Sequence, residues 1–262
     1  MLAHTRVGDG SRPLVLLHGF LGSSRNLGAF ARRLADGDAS LSEFALDLRG
    51  HGASPPLPEG ADLRTLASDV LSTTASLGLG RPITLVGHSL GGRVGLRIAL
   101  DDPAALDHLV LLDIAPSPTS DALGDVPRVL DALAQAPATA PGREPFRRAL
   151  LSRGLSVDVV EWLLLNLDRD GETYGWRIDR DALTALQRRV SAEDLWPAVE
   201  RPRSHSLHCI RGGRSPYVSD PDADRLKAAG GRVDTIADGG HWLHVERPTE
   251  VAALVLMGIH RR

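Results

Sequence analysis

The 262-residue chain has little cysteine, almost no lysine and no excess of one charge. Its single cysteine, Cys209, excludes an internal disulfide framework and any cysteine-based zinc cluster. With 30 basic and 33 acidic residues the formal net charge is -3, so no overall field steers the chain to nucleic acid. Lys227 is the only lysine; the arginine-rich remainder reads as codon usage and implies no chemistry. No stretch approaches the ~20 apolar residues of a membrane span, and Met1-Leu2-Ala3-His4 opens without a signal-like apolar run. The expectation is a soluble, cytoplasmic protein. What is present, 42% apolar and 24% charged residues, suits one large α/β domain or two small ones with a sizeable core. The 27 glycines and 17 prolines are scattered at turn-like places, which argues against repeats or a disordered tail.

Short apolar runs bounded by proline, glycine or polar residues read as buried strands. They lie at residues 13–19, 44–47, 83–87, 109–113 and 207–211, with a last strand at 232–236. Helical periodicity falls between them at 26–34, 63–77 and 90–100, and a final helix at 249–260 follows Pro248. The alternation specifies an α/β fold with a mostly parallel sheet flanked by helices. About a dozen residues precede the first buried strand, so an edge strand is expected to be short or missing. Between about Ser117 and Pro202 the alternation stops, and no strand-like run stands out. The periodicity there is helical, at 122–133, 144–151, 157–167 and 182–190, and Trp162, Tyr174, Trp176 and Trp196 gather in the same stretch. Residues 1–116 and 203–262 are therefore expected to form a core, and 117–202 an inserted helical cap leaving after the strand that ends in Asp113. Ligands in open α/β sheets bind at the carboxyl ends of strands, which would place that cap over a pocket; an aromatic-packed subdomain without a ligand is the plainer reading.

Gly87-His88-Ser89-Leu90-Gly91 follows a strand and opens a helix. In that context G-x-S-x-G is a sharp turn that holds a serine nucleophile in a strained conformation above the sheet. Side chains at positions 87 and 91 would collide with the neighbouring strand and helix, and Gly92 permits closer packing. The helix N-terminus offers a free N–H and positive dipole to developing negative charge. His18-Gly19-Phe20-Leu21-Gly22, just past an earlier strand, can aim a second N–H at the same oxygen. Phe20 and Leu90 are thus the expected oxyanion donors, though a glycine-rich turn alone would also explain the first motif.

Taken together with Asp47-Leu48-Arg49-Gly50-His51-Gly52-Ala53-Ser54 and Gly240-His241-Trp242, these motifs resemble the α/β-hydrolase family, in order and along the whole chain. Leu112-Asp113-Ile114-Ala115-Pro116, Gly212-Gly213-Arg214-Ser215-Pro216-Tyr217-Val218 and His241-Trp242-Leu243-His244-Val245-Glu246 are similar to the small YbfF-type bacterial esterases. The resemblance implies that His241, in a loop between the last strand and last helix, is the general base. His244 is read as its structural neighbour, and His18, His51 and His88 as loop braces; His4, His108 and His260 fall in surface-like segments. Many family members carry the triad acid in the turn that is Gly212-Gly213-Arg214-Ser215-Pro216 here. Serine stands where their carboxylate would be, and a serine cannot stabilise an imidazolium. The choice lies between Asp113, at the end of the strand beside the nucleophile, and Asp220 or Asp222, which look like N-cap residues of a helix beginning near Pro221. Asp113 is preferred. A metal at His205-x-x-His208 or His241-x-x-His244 is disfavoured, because zinc wants three or four convergent ligands. Arg49 is a further family marker that a tight loop would need anyway, and Asn26 could approach the pocket mouth.

The implied activity is hydrolysis of a carboxylic ester or thioester through an acyl-enzyme on Ser89, without a cofactor or metal and with a small-molecule substrate. Carbon–carbon bond hydrolysis, a lyase reaction or a catalytically weak ligand-binding relative would use the same scaffold. Serine at position 89 disfavours halide release or epoxide opening, which use an aspartate. Arg93, Arg97 and Arg177 could bind an acidic group such as a coenzyme A phosphate, although a solvated helix face is the usual explanation of such spacing. Nothing in the sequence bears on oligomeric state.

Overall fold

The structure, a computed structural model, describes residues 1–119, 124 and 126–260. The chain begins β1 (His4–Val7), β2 (Arg12–Leu17), α1 (Ser24–Gly37), β3 (Leu41–Leu46), α2 (Leu63–Ser76), β4 (Ile83–His88), α3 (Leu90–Asp101) and β5 (Leu106–Leu112). An insertion then supplies α4 (Val126–Gln135), β6 (Thr139–Ala140), α5 (Glu144–Leu151), α6 (Val157–Leu163), β7 (Leu167–Asp170), β8 (Thr173–Trp176), α7 (Arg180–Ala192) and α8 (Pro197–Glu200). The chain returns with β9 (Ser206–Gly212), α9 (Asp220–Ala228), β10 (Arg232–Ile236), α10 (Leu243–Glu246) and α11 (Pro248–Ile259). The main sheet has seven strands in the order β1-β3-β2-β4-β5-β9-β10. Every pairing is parallel except β1 with β3, and β1 is the short edge strand, four residues long.

Alternation along the strands sorts side chains between two apolar layers. Val15, Leu17, Leu85, Leu109, Leu111 and Cys209 join one layer with Leu63 and Leu66 of α2 and Val94 and Leu96 of α3. Leu14, Leu16, Val86, Val110, Leu112 and Ile210 face the other way, onto Leu27 and Phe30 of α1 and Val251 and Val255 of α11. Both faces of the sheet are covered, which is why these strands read as continuous apolar runs. Helix starts are set by polar caps: the Asp62 carboxylate accepts from Thr65 N at 2.9 Å at the head of α2, and Asp179 accepts from Ala182 N at 3.0 Å before α7. Asn26 is the reciprocal half of a capping box at the head of α1, its Oδ1 accepting from the N-cap Ser23 N at 2.8 Å, and it is not among the residues of the pocket described below.

The insertion departs from an all-helical expectation. Beside its helices it contains a three-stranded antiparallel sheet, β6-β8-β7. Residues 167–170 and 173–176 pair across a two-residue loop in which Gly171 takes φ +58, a turn that needs glycine. The strands are short and Asp168, Arg169 and Asp170 are exposed, so hydrophobic alternation did not reveal them. The expected helix at 122–133 is present from Val126; residues 122, 123 and 125 lie outside the described residues.

Candidate active site

β2, β4 and β5 are neighbours in the sheet, and just beyond their carboxyl ends stand Leu21, Ser89 and Asp113. These are the non-glycine residues with positive φ among those described, at 60°, 50° and 52°. Such conformations cost on the order of 1–3 kcal/mol each and persist where the surroundings over-determine them. At Ser89 the surroundings are glycines. A Cβ on Gly87 would lie 2.4 Å from the Gly91 carbonyl carbon, and one on Gly91 would lie 2.6 Å from Leu17 O. The turn therefore closes only with glycine at both positions. Ser89 N donates to Leu112 O at 3.1 Å, and Leu90 opens α3, so its N–H lacks an intrahelical acceptor.

The His18 imidazole fixes the opposing loop. Its Nε2 accepts from Leu48 N at 2.9 Å, so the proton sits on Nδ1, which donates to Gly19 O at 2.8 Å. Burial holds the pKa of His18 below the usual imidazole range. Because the peptide unit is planar, anchoring the Gly19 carbonyl also sets the direction of the Phe20 N–H.

Asp113 is fully buried, and both its oxygens are engaged. Oδ1 accepts from Gly212 N at 2.9 Å; Oδ2 accepts from the Ser215 hydroxyl and from His241 Nδ1 at 2.8 Å. The serine that replaces a carboxylate in the 212–216 turn thus hydrogen-bonds to the carboxylate on the neighbouring strand. Asp220 and Asp222 are occupied elsewhere: Asp220 with Arg211 at 2.6 Å, and Asp222 with Ser117 at 2.5 Å and in the capping box that Ser219 makes at the start of α9. His241 is further held by the Tyr217 ring, stacked at 4.0 Å, and by His88, whose Nε2–H donates to His241 O at 2.9 Å. Burial, then the nearby His244 and His241, pushes the His88 pKa well below its ordinary value. His244 packs between His88 and Phe30, with ring centroids at 4.5 and 6.1 Å, and burial lowers it to about 3. Sequence reasoning assigned no role at the site to Tyr217 or Ser215; the visible signal was the departure from the family's acidic turn.

Ser89, His241 and Tyr217 open onto one cleft of about 210 Å³ whose apolar wall includes Phe20, Leu21, Val126, Val129, Trp162 and Trp242. The pattern that defines the alpha/beta hydrolase family matches residues 14–254. The protein belongs to the alpha/beta hydrolase family. This hydrolase is similar to esterase YbfF of Escherichia coli (strain K12), 31% identical over 91% of this chain and 89% of the relative. It is also similar to the sn-1-specific diacylglycerol lipase ABHD11 of Xenopus laevis, 30% identical over 90% of this chain and 75% of the relative. Among solved structures, a marine microorganism esterase superposes with a TM-score of 0.88 over 98% of each chain; at 24% identity that likeness speaks to the fold alone.

Several sequence expectations change in the hydrolase's structure. Arg93 and Arg97 are neither a solvated face nor free to bind an anion. Both are buried. Arg93 donates to Val190 O at 2.9 Å, Ser117 O at 3.0 Å and Glu193 O, while Arg97 pairs with Asp101 and, at 2.6 Å, with Glu193. Arg177 is bound to Asp168. Arg49 is spent on Asp69 at 2.5 and 2.7 Å, a loop-bracing role. His108, expected near the surface, is buried and bonded to Ser206 at 2.5 Å. No group of three potential metal ligands occurs among the described residues, and no helix among them is long and apolar enough to cross a membrane.

Proposed function

We propose that this hydrolase cleaves carboxylic esters or thioesters through an acyl-enzyme on Ser89, with His241 as general base and acid and Asp113 as its orienting carboxylate. The observation that carries the reading is the 2.8 Å bond from His241 Nδ1 to the buried Asp113, in a ring that opens on the same cleft as Ser89. With Nδ1–H committed to the carboxylate, Nε2 is left with its lone pair. Ser89 Oγ attacks the acyl carbon as Nε2 takes its proton, and the oxyanion forms against the Phe20 and Leu90 amides. Collapse expels the alcohol or thiol, which leaves with the proton from Nε2. Water, deprotonated by the same nitrogen, attacks the acyl-enzyme, and release of the carboxylic acid returns the proton to Ser89 Oγ. Every proton and electron pair moves among these side chains, substrate and water, so the cycle as proposed calls for no cofactor. The Asp113 oxygens, each accepting a main-chain or side-chain donor, hold the carboxylate in place against the ring.

Residues 117–202 are proposed as the cap, since Val126, Val129 and Trp162 form the far wall of the cleft. The names of the relatives, an esterase and a diacylglycerol lipase, support acyl–oxygen cleavage rather than carbon–carbon chemistry. The cleft is small beside the ~300–1,000 Å³ usual for drug-sized ligands, which suits a short acyl chain.

The test is kcat/KM across p-nitrophenyl esters from acetyl to dodecanoyl, with Ser89→Ala as control and a serine-reactive phosphonate as label. Turnover that peaks at short chains, disappears in Ser89→Ala and is blocked by label on Ser89 is expected. A folded protein without turnover on any ester would return the weight to carbon–carbon chemistry or to binding.

A further inference from the structure

We infer that Asn166, in the insertion, is a positioning residue for the oxyanion loop, so that docking of the insertion on the core completes the hole. The inference rests on the proposed acyl-transfer reading. Residues 19–22 form a tight turn closed by Gly22 N donating to Gly19 O at 3.0 Å, and Leu21 holds its third position with φ +60. Turns with positive φ there ordinarily place glycine or asparagine at that position. A leucine stays only if something beyond the turn holds it. Asn166 does so from the insertion: its Nδ2 donates to Leu21 O at 2.8 Å and, more weakly, to Leu163 O at 3.3 Å. Asn166 is itself buried, and its main-chain carbonyl accepts from Arg177 N at 2.8 Å, which ties it to the β7–β8 sheet. The loop that carries the Phe20 N–H is thus anchored at two points: His18 on Gly19 O from the core, and Asn166 on Leu21 O from the insertion. Phe20 lies between them. With the second anchor gone, the strained Leu21 can relax toward negative φ; because Gly22 N is bonded to Gly19 O at 3.0 Å, that relaxation pulls on the Gly19–Phe20 peptide and misaims the Phe20 N–H that it carries. Asn166 touches no substrate atom in this scheme; it acts through the loop.

A merely structural contact between insertion and core makes a different prediction, and Arg189 provides the comparison. It also reaches across, its Nε donating to Ala61 O at 3.0 Å, but at a loop away from the cleft. Asn166→Ala, Asn166→Asp and Arg189→Met should be compared with the wild-type enzyme for kcat and KM on p-nitrophenyl acetate. The same set should be titrated with phenylboronic acid, whose tetrahedral adduct on a serine presents an oxygen to the oxyanion donors. Since loss of a whole donor costs about 100- to 1,000-fold, a misaimed one should lower kcat by roughly 10- to 100-fold. KM should stay near the wild-type value, and boronate affinity should fall in parallel with kcat. Arg189→Met should keep both kcat and boronate affinity. If Asn166→Ala does not fold, Asn166→Asp, which keeps the shape but replaces the donor with an acceptor, is read by the same criteria. Wild-type kcat and boronate affinity in the Asn166 variants, or a loss confined to KM or thermal stability and shared by Arg189→Met, overturns the inference. Those results with turnover still dependent on Ser89 leave the proposed function standing. Wild-type turnover that does not need Ser89 removes that function and this inference together.

Discussion

The main sheet and the insertion between β5 and β9 are held in place by different forces. In the sheet, alternate side chains enter two apolar layers, and charged chemistry appears mainly where strands end. The insertion has apolar residues of its own in the first layer, Phe146, Leu183 and Leu186 among them, yet its junctions with the core are directional. Arg93 and Asn166 reach main-chain carbonyls across the boundary, as does Arg189. An apolar layer is non-directional and tolerates small shifts, whereas a few hydrogen bonds to carbonyls define one arrangement and can be removed singly. Arg93 shows the cost: burial lowers its guanidinium to about 10, with Glu193 and Asp194 opposing that shift. The sheet thus meets its neighbours through broad apolar layers, and the insertion meets the core through a few hydrogen bonds that single substitutions can remove.

The largest effect is expected where a strand end carries charge. Asp113→Asn would keep an oxygen for Gly212 N but oppose an amide N–H to His241 Nδ1, favouring the wrong tautomer of the ring. We expect kcat to fall on the order of 10,000-fold with the fold intact by circular dichroism. Asp220→Asn, which touches only Arg211 at the start of α9, should stay within about twofold of wild type, because surface ion pairs contribute ~1 kcal/mol or less and this one lies off the cleft. The reverse ranking would move the acid to the α9 loop.

A second effect compares one substitution in both regions. In Gly87→Ala the new methyl would sit 2.4 Å from main-chain atoms of α3, with no flexible side chain to give way. A loss of about 3 kcal/mol or more is expected in urea denaturation. In the insertion, Gly142 is not among the glycines with positive φ, and a Cβ added there would meet nothing within 4 Å. Gly142→Ala should stabilise by ~0.4–1 kcal/mol through the unfolded chain. Equal costs at the two sites would mean that backbone precision does not distinguish the two regions.

The same difference explains what sequence revealed. Buried parallel strands announce themselves as apolar runs, and Gly87 and Gly91 flanking Ser89 mark a turn whose geometry admits little else. His241 and Asp113 could be paired because β5 and the loop after β10 end on the same side of the sheet, but the sequence leaves Asp113, Asp220 and Asp222 all open; in the structure it is Asp113 that bonds to His241, while Asp220 meets Arg211 and Asp222 meets Ser117. Arg93 and Arg97 misled because an arginine's spacing on a helix does not tell whether a distant carbonyl covers it. The β7–β8 hairpin was legible only through Gly171, since Asp168, Arg169 and Asp170 carry no apolar alternation. Asn166 left no local signal, and Tyr217 only its place beside the altered turn: their partners Leu21 and His241 are far along the chain, and their contacts arise from packing.

The remaining effect concerns a charge misplaced in the sheet, and it touches stability alone. Glu43, on β3, is fully buried, and neither carboxylate oxygen has a hydrogen-bond partner among the described residues. Burial, with a smaller contribution from Asp38, raises its pKa from 4.5 to about 7. The insertion's Asp168 shows the opposite shift, lowered by the Arg177 guanidinium beside it. Between the unfolded value and 7 the native protein holds a proton that the unfolded chain has released, so stability falls as pH rises through that window. The shift corresponds to roughly 3 kcal/mol at most. His51 and His244, which burial lowers to about 3, act with the opposite sign: below the ordinary imidazole range the unfolded chain takes protons that these rings refuse. The wild-type profile sums these slopes, and the informative quantity is its difference from Glu43→Gln at each pH. That difference should be nearly constant below pH 4.5 and should grow in favour of the variant up to about pH 7, then level off. A difference that is flat across the window would show that Glu43 is ionised in the folded protein, with the sheet bearing the charge throughout.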